Sequence, residues 1–371
     1  MRVLYFTRSY TSHDFRFLEA MVQAGHNAFL LQLESPVDAP ERRPLPEGVR
    51  RIVWRKTRFA HRRWQIPWRV AELKKILGET KPDVVHAGPV QSCGLIAALS
   101  GVRPLVIMSW GSDLLWDTRR WLPRIEAKVA LRRADAFIGD CEAVRRSAIR
   151  LGVSEDKTMV FPWGVDLIHF SPGEDAGLRS RLAWDGCFVL LSTRALEPLY
   201  GVDVLAQGFA LAAKAEPTMR LLVLGQGSLR PWMEAVFEQN RVSHQVHFAG
   251  QVDYGDLPAF YRCSDLYLSA SHSDGSSVSL MEAMACGLPV VASDIAGNSE
   301  WVQAGTNGWL FEDGNAQALG DALFEARNAG AMLRQFGAQS RQLARAKADW
   351  SKNRERLSEA YEKAVAHRER H

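Results

Sequence analysis

Leu266-Tyr267-Leu268-Ser269-Ala270-Ser271-His272-Ser273-Asp274-Gly275-Ser276-Ser277-Val278-Ser279-Leu280-Met281-Glu282-Ala283-Met284-Ala285-Cys286-Gly287-Leu288-Pro289-Val290-Val291-Ala292-Ser293 reads as strand, loop, helix and strand. A short apolar run enters a serine-rich loop around Asp274 and Gly275, a helix-period segment is expected over Ser277–Ala285, and Pro289–Ala292 resumes the apolar run. Two apolar runs joined through a helix make a parallel β-α-β unit, since parallel neighbours need a long crossover. Gly275 and the adjacent serines permit close backbone approach, and the residues opening the helix, Ser276, Ser277 and Val278, present free N–H groups. Such a helix start suits an anion, in particular a diphosphate. Glu282 lies about one turn beyond Ser279. Asp274 and Glu282 can therefore face one ligand, accepting hydrogen bonds from the paired hydroxyls of a ribose or hexose; a serine-capped helix with Glu282 solvated is the plainer alternative.

The same alternation runs outward to both ends. In the first half, strands are expected near Val3–Thr7, Ala28–Leu33, Val84–His86, Leu105–Met108, Ala136–Ile138 and Met159–Phe161, with helices around Phe15–Ala24, Val70–Gly78, Arg124–Arg132 and Glu142–Leu151. Phe170-Ser171-Pro172-Gly173 breaks the pattern as a linker would. Strands then resume at Phe188–Ser192, Leu221–Leu224, Val246–Phe248, Leu266–Leu268, Pro289–Ala292 and Trp309–Phe311, with intervening helices including Val204–Ala213, Leu229–Gln239 and Ala316–Ala326. The expected architecture is α/β, two Rossmann-like doubly wound parallel-sheet domains facing a cleft: residues 1–170, residues 171–350, and a C-terminal helix over 351–371 packing back on the first domain. Within that helix Leu357, Tyr361 and Val365 mark the apolar face.

Of the 371 residues, 47% are hydrophobic and 24% charged, a globular balance that excludes a disordered or low-complexity chain. Five scattered cysteines, Cys93, Cys141, Cys187, Cys263 and Cys286, show neither zinc spacing nor a disulfide framework. No apolar stretch approaches the roughly 20 residues of a membrane span, so a cytoplasmic protein is expected. A net charge of +4 does not announce nucleic acid, and no nucleic-acid partner is expected. The charge is concentrated, however: Arg50, Arg51, Arg55, Lys56, Arg58, Arg62, Arg63 and Arg69 alternate with Trp54, Phe59, Trp64 and Trp68 without an acidic residue. Residues 50–69 are either a solvated connection or an attachment to an anionic acceptor or to anionic lipid at the inner face of a membrane, where cations and tryptophan are favoured.

The stretch from Asp274 to Glu282 resembles the E-x7-E signature of the retaining glycosyltransferases of family 4, with Asp in place of the first Glu, and Gly287-Leu288-Pro289-Val290-Val291-Ala292 resembles the strand that follows it there. Thr193-Arg194-Ala195-Leu196-Glu197-Pro198-Leu199-Tyr200-Gly201-Val202-Asp203 resembles the family's R-x5-K-G-x-D segment, with Tyr200 replacing lysine. Leu224-Gly225-Gln226-Gly227 resembles its G-x-G turn, Ser109-Trp110-Gly111-Ser112-Asp113 its H-G-x-D segment with Trp110 for histidine, and Pro162-Trp163-Gly164-Val165-Asp166 its P-N-G-V-D segment with Trp163 for asparagine. The resemblance covers nearly the whole chain.

What the resemblance implies is transfer of a sugar, with retention, from a nucleoside-diphosphate sugar to a hydroxyl of a glycan, lipid-linked or small-molecule acceptor. Arg194 and the amides at Gly275, Ser276, Ser277 and Val278 would take the diphosphate, Asp274 the donor sugar and Glu282 the ribose, with Gly225, Gly227 and Tyr200 completing the donor site. The donor is a co-substrate, and neither a further cofactor nor a metal is required. His13, Asp14, Trp110, Ser112 and Asp113 are candidates for the acceptor side; His13 serves equally as a loop residue, and Trp110 either stacks on a sugar or fills the interior. The accumulated departures leave open a non-catalytic sugar-nucleotide or glycan-binding partner, and a nucleotide-sugar epimerase shares the expected fold.

Overall fold

Strands of parallel sheets are buried on both faces and so appear as unbroken apolar runs. The computed structural model, which describes residues 1–35, 41, 43–54 and 63–370, builds two such sheets. Strands β1 (Arg2–Thr7), β2 (Asn27–Gln32), β3 (Arg50–Ile52), β4 (Val84–Ala87), β5 (Leu105–Met108), β6 (Ala136–Gly139) and β7 (Thr158–Val160) lie in the order β3-β2-β1-β4-β5-β6-β7. Strands β8 (Phe188–Ser192), β9 (Met219–Leu224), β10 (Val246–Gly250), β11 (Leu266–Ser269), β12 (Val290–Ser293) and β13 (Gly308–Phe311) lie in the order β10-β9-β8-β11-β12-β13. Every pairing is parallel. Alternation within β8 shows the layering: Phe188 and Leu190 enter one apolar cluster, Val189 and Leu191 the other.

The chain divides into Met1–Trp163 with Ser351–His371, and Gly164–Trp350. The break falls before the expected Phe170–Gly173 segment because residues 164–170 are built into the second unit. Val165 N donates to Ala348 O at 2.7 Å, Trp350 N donates to Val165 O at 3.1 Å, and Phe170 is fully buried among Val165, Leu178 and Tyr261.

In the first unit, the helix Glu355–Arg370 lies against β4, β5 and β6. Its buried stripe is Leu357, Ala360, Tyr361 and Ala364, the i, i+3, i+4, i+7 pattern of a helix face. Ala364 takes the place expected of Val365, which is only half-buried, because a strict spacing of four drifts off a face that turns every 3.6 residues. Tyr361 Oη lies 2.9 Å from Nδ1 of the fully buried His86 in β4.

Candidate active site

In the second sheet the chain moves outward from β8 through β9 to β10, then returns to place β11 on the other side of β8. The order reverses between β8 and β11, and the crevice beyond the carboxyl ends of strands at such a reversal is where doubly wound sheets bind ligands. Thr193 and Arg194 follow β8; the loop from Ala270 to Ser277 follows β11. Gly201 locks these loops together. Its φ is +58°, and an added Cβ would lie 1.9 Å from Ala270 O, so only glycine fits.

Arg194 is the centre of the cluster. One Nη lies 2.6 Å from Asp274 Oδ2, the other donates to Ser277 Oγ at 2.7 Å and Ser279 Oγ at 3.2 Å, and Cζ sits 4.3 Å from the centroid of the Tyr200 ring. Both members of the ion pair are largely buried. Burial raises the Asp274 pKa and the Arg194 charge pulls it back, with a net upward direction. For Arg194 burial acts downward, but Asp274 first and then Tyr200 outweigh it and hold the guanidinium pKa above its ordinary value. Against burial, the Arg194 charge is the largest influence favouring the Asp274 carboxylate.

The helix Val278–Ala285 begins beside this pair. Ser277 stands at its N-cap yet makes no side-chain cap, because its hydroxyl accepts from Arg194. The first-turn amides are thus left without a side-chain cap from Ser277, next to a guanidinium, which is the arrangement that attracts phosphate oxygens. Trp301 Nε1 fixes the loop by donating to Ser276 Oγ at 2.9 Å, and Gly275 N donates to Asp274 Oδ1 at 3.0 Å.

Glu282, one turn into the helix, is buried and accepts from Tyr261 Oη at 2.7 Å. Tyr267 Oη donates to Ser279 Oγ at 2.8 Å, and Thr193 Oγ1 lies 3.4 Å from Tyr261 Oη and 3.3 Å from Tyr267 Oη. A chain of hydroxyls thereby joins Arg194 to Glu282. The sequence does not single out Tyr261, Tyr267, Thr193 or Ser279, since a tyrosine in an apolar run reads as core and a lone hydroxyl residue carries no signature. Gly225 and Gly227 have a different reason to be glycine than ligand approach. An added Cβ would meet Arg194 O at 2.7 Å and Leu196 O at 2.3 Å, so the turn is the backing on which the Arg194 loop rests.

Residues 13–168 match the family described as Glycosyltransferase Family 4, and residues 178–343 match Glycosyl transferases group 1. The chain is a glycosyltransferase of the family 4 type. It is 28% identical over 288 residues to a GDP-mannose-dependent alpha-(1-6)-phosphatidylinositol monomannoside mannosyltransferase of Mycolicibacterium smegmatis, covering 72% of this chain and 74% of that one. It is 32% identical over 191 residues to a D-inositol 3-phosphate glycosyltransferase of Acidothermus cellulolyticus, covering 48% of this chain and 42% of that relative. Its fold is that of Anabaena HepE in complex with UDP, with a TM-score of 0.79 at 20% identity over 97% of this chain and 99% of that one. The sucrose-phosphate synthase of Thermosynechococcus elongatus gives a TM-score of 0.81 at 18% identity over 99% and 100% of the two chains.

The first unit of this glycosyltransferase places the five acceptor-side candidates in two settings. Asp14 is fully buried at the start of the helix Ser12–Gln23, where its carboxylate accepts from Thr11 N at 2.7 Å and Tyr5 Oη at 2.8 Å in a capping box. Asp113 is likewise buried, accepting from Val90 N at 2.9 Å, Ser109 Oγ at 2.5 Å and Trp110 N at 3.1 Å; burial pushes its pKa up to about 6. Both carboxylates therefore hold loops at the carboxyl ends of strands rather than facing outward. His13, half-buried, packs on Trp110 with ring centroids 5.4 Å apart, and Ser112 is half-buried at the start of the helix Ser112–Leu115. Trp163 is buried against Phe17, Trp110 and Phe161.

Proposed function

We propose that the second unit binds a nucleoside-diphosphate sugar and that the sugar passes, with retention, to a hydroxyl of a glycan, lipid-linked or small-molecule acceptor. The observation that carries this reading is the meeting of Arg194, Asp274 and the start of the helix Val278–Ala285 at the reversal point of the second sheet. A leaving diphosphate develops charge, and a guanidinium with preorganised amides stabilises that charge without reorganising. Arg194 and the amides of Ser276, Ser277 and Val278 take this role, which makes a resident metal unnecessary. Tyr200 backs the guanidinium. Asp274 exchanges its ion pair for the donor sugar when the diphosphate occupies Arg194, and Glu282 holds the ribose. The attacking hydroxyl gives up its proton to the departing phosphate oxygen on the same face, forming the new glycosidic bond as the old one breaks.

Thermal unfolding with UDP, GDP, ADP and dTDP, each with magnesium or EDTA, tests the donor assignment. A nucleotide at a hundred times its Kd adds about 2.7 kcal/mol. Selective stabilisation by one nucleotide that survives EDTA is expected, with GDP and UDP first to try given the donors named for the relative and bound in the structural neighbour. Absence of any shift overturns the donor site. Replacing Asp274 by Ala should abolish transfer while leaving nucleotide binding; unchanged turnover removes Asp274 from the mechanism.

We further infer peripheral contact with anionic lipid through residues 50–69, of which 55–62 lie outside the described residues. Trp64 and Trp68 are 61% and 60% exposed, and Arg63 bonds Glu126 of the helix Trp121–Leu131, which exposes Trp121 and Ile125. Among the described residues no helix is long and apolar enough to cross a membrane. Co-sedimentation with phosphatidylglycerol vesicles, lost in a Trp64→Ser, Trp68→Ser double variant, is expected; equal sedimentation of both proteins overturns the contact.

A further inference from the structure

One arginine within residues 50–69 is too deeply buried to reach a lipid surface. Arg69 lies in the first turn of the helix Ile66–Thr80 and is fully buried, yet Nε, Nη1 and Nη2 all lack a hydrogen-bond partner. Its guanidinium lies 4.6 Å from the centroid of the Trp54 ring. Glu72, half-buried further along the same helix, attracts the charge but makes no hydrogen bond with it. Trp54 is itself buried, and its Nε1 donates to Gln32 O at 2.6 Å. Gln32, also buried, accepts from the exposed Arg51 through Oε1 at 2.6 Å, which leaves Nε2 as another buried donor without an acceptor.

Among the described residues, the unmet groups of Arg69 and Gln32 beside Trp54 are therefore all N–H donors. A guanidinium offers five N–H bonds and a carboxamide two, and none of those on Arg69 or on Gln32 Nε2 meets an oxygen. A buried unpaired charge is among the costliest features a fold can retain, and stacking on an indole offsets only part of that cost. What the cluster lacks is an acceptor-rich, negatively charged group, and a guanidinium fork matches the oxygens of a phosphoryl group two at a time. The position agrees: Gln32 ends β2, Trp54 lies two residues past the end of β3, and the helix carrying Arg69 starts at the same carboxyl edge of the sheet, where ligands of such sheets bind.

We propose that Arg69, Gln32 and Trp54 form an oxyanion site in the first unit that takes a phosphoryl group carried by the acceptor. Assigning that group to the acceptor rests on the transferase reading; the anion site does not. The test is thermal unfolding of the full chain in phosphate-free buffer, with the donor site saturated by its stabilising nucleotide. Inorganic phosphate, glucose 6-phosphate, glucose, and vesicles of phosphatidylcholine with or without phosphatidylinositol are then added in turn. Stabilisation by the phosphate-bearing probes of net negative charge, but not by glucose or zwitterionic phosphatidylcholine, is expected. A response to soluble phosphates alone identifies a soluble phosphorylated acceptor, and a response to phosphatidylinositol that persists in the Trp64→Ser, Trp68→Ser variant identifies a lipid headgroup.

Arg69→Met, which keeps the packing volume and removes the buried charge, should unfold at a higher temperature without phosphate and lose the phosphate shift while keeping the nucleotide shift. Should that variant fail to fold, Gln32→Leu gives the second reading, with a weakened phosphate response. An equal phosphate shift in wild type and variant, or no shift with any phosphate-bearing probe, overturns the site. Loss of the nucleotide shift in the wild type would instead overturn the donor reading and leave this one standing.

Discussion

Tyr261 donates its phenolic hydrogen to Glu282, and the carboxylate it holds is the group assigned to the donor ribose. Tyr261→Phe keeps the ring in its apolar setting and removes that one bond, leaving a buried acceptor at a cost of about 1–3 kcal/mol. A several-fold rise in donor KM with kcat little changed is expected, together with weaker preference for ribonucleotide over 2′-deoxyribonucleotide donors; a purely structural tyrosine would leave that preference intact. Arg194→Met acts on the other end of the hydroxyl chain. Loss of one preorganised charge on a leaving group lowers turnover about 100- to 1,000-fold, and single-turnover rates at saturating donor would show whether the loss lies in the chemical step. Arg194, Asp274 and Glu282 could be named from sequence because their spacing matches a recurrent pattern around a glycine- and serine-rich helix start. Tyr261 could not, since the direction of a hydroxyl in a buried ring depends on which helix faces it.

The strands were legible for a plainer reason: β1, β8 and β11 are buried almost throughout and contain uninterrupted apolar runs. β3 was missed because it is an edge strand of three residues, Arg50-Arg51-Ile52, whose polar side chains face solvent and read as loop. The helix Ala331–Lys347 is hard to read in the sequence because alanine, glutamine and arginine dilute its apolar stripe. At the C-terminal helix the sequence showed an apolar face but not what it meets, which is His86 in β4. Burial lowers the His86 pKa from 6.5 to about 3, so the folded chain keeps a neutral imidazole where the unfolded chain takes up a proton. Stability from this group is complete above the unfolded value and is lost as pH falls, by about 1.4 kcal/mol per unit until the folded value is reached. Urea unfolding at pH 7.5 and pH 5 should show His86→Phe with a flatter pH dependence than wild type; parallel slopes would assign the acid sensitivity elsewhere.

At the scale of the whole molecule, each unit has its own parallel sheet and its own apolar clusters, so ligand binding in one need not protect the other. The switch-point argument applies separately to each sheet: between β8 and β11 in the second, where Arg194 and Asp274 lie, and between β1 and β4 in the first. A nucleotide that binds only the folded second unit raises the free energy of opening for segments whose exposure destroys that site. Hydrogen exchange with the stabilising nucleotide should therefore slow at residues 193–201, 225–229 and 274–286, where backbone turns and the helix start frame the site. Segments 8–14, 32–35, 50–54, 66–72 and 88–113 of the first unit should change little with nucleotide alone and slow when a phosphorylated acceptor is added. Slowing confined to the first unit on nucleotide addition would move the donor site across the chain and remove Arg194 from it; slowing confined to the second with nucleotide, and extended to the first only with acceptor, would establish that the two sheets divide the substrates between them.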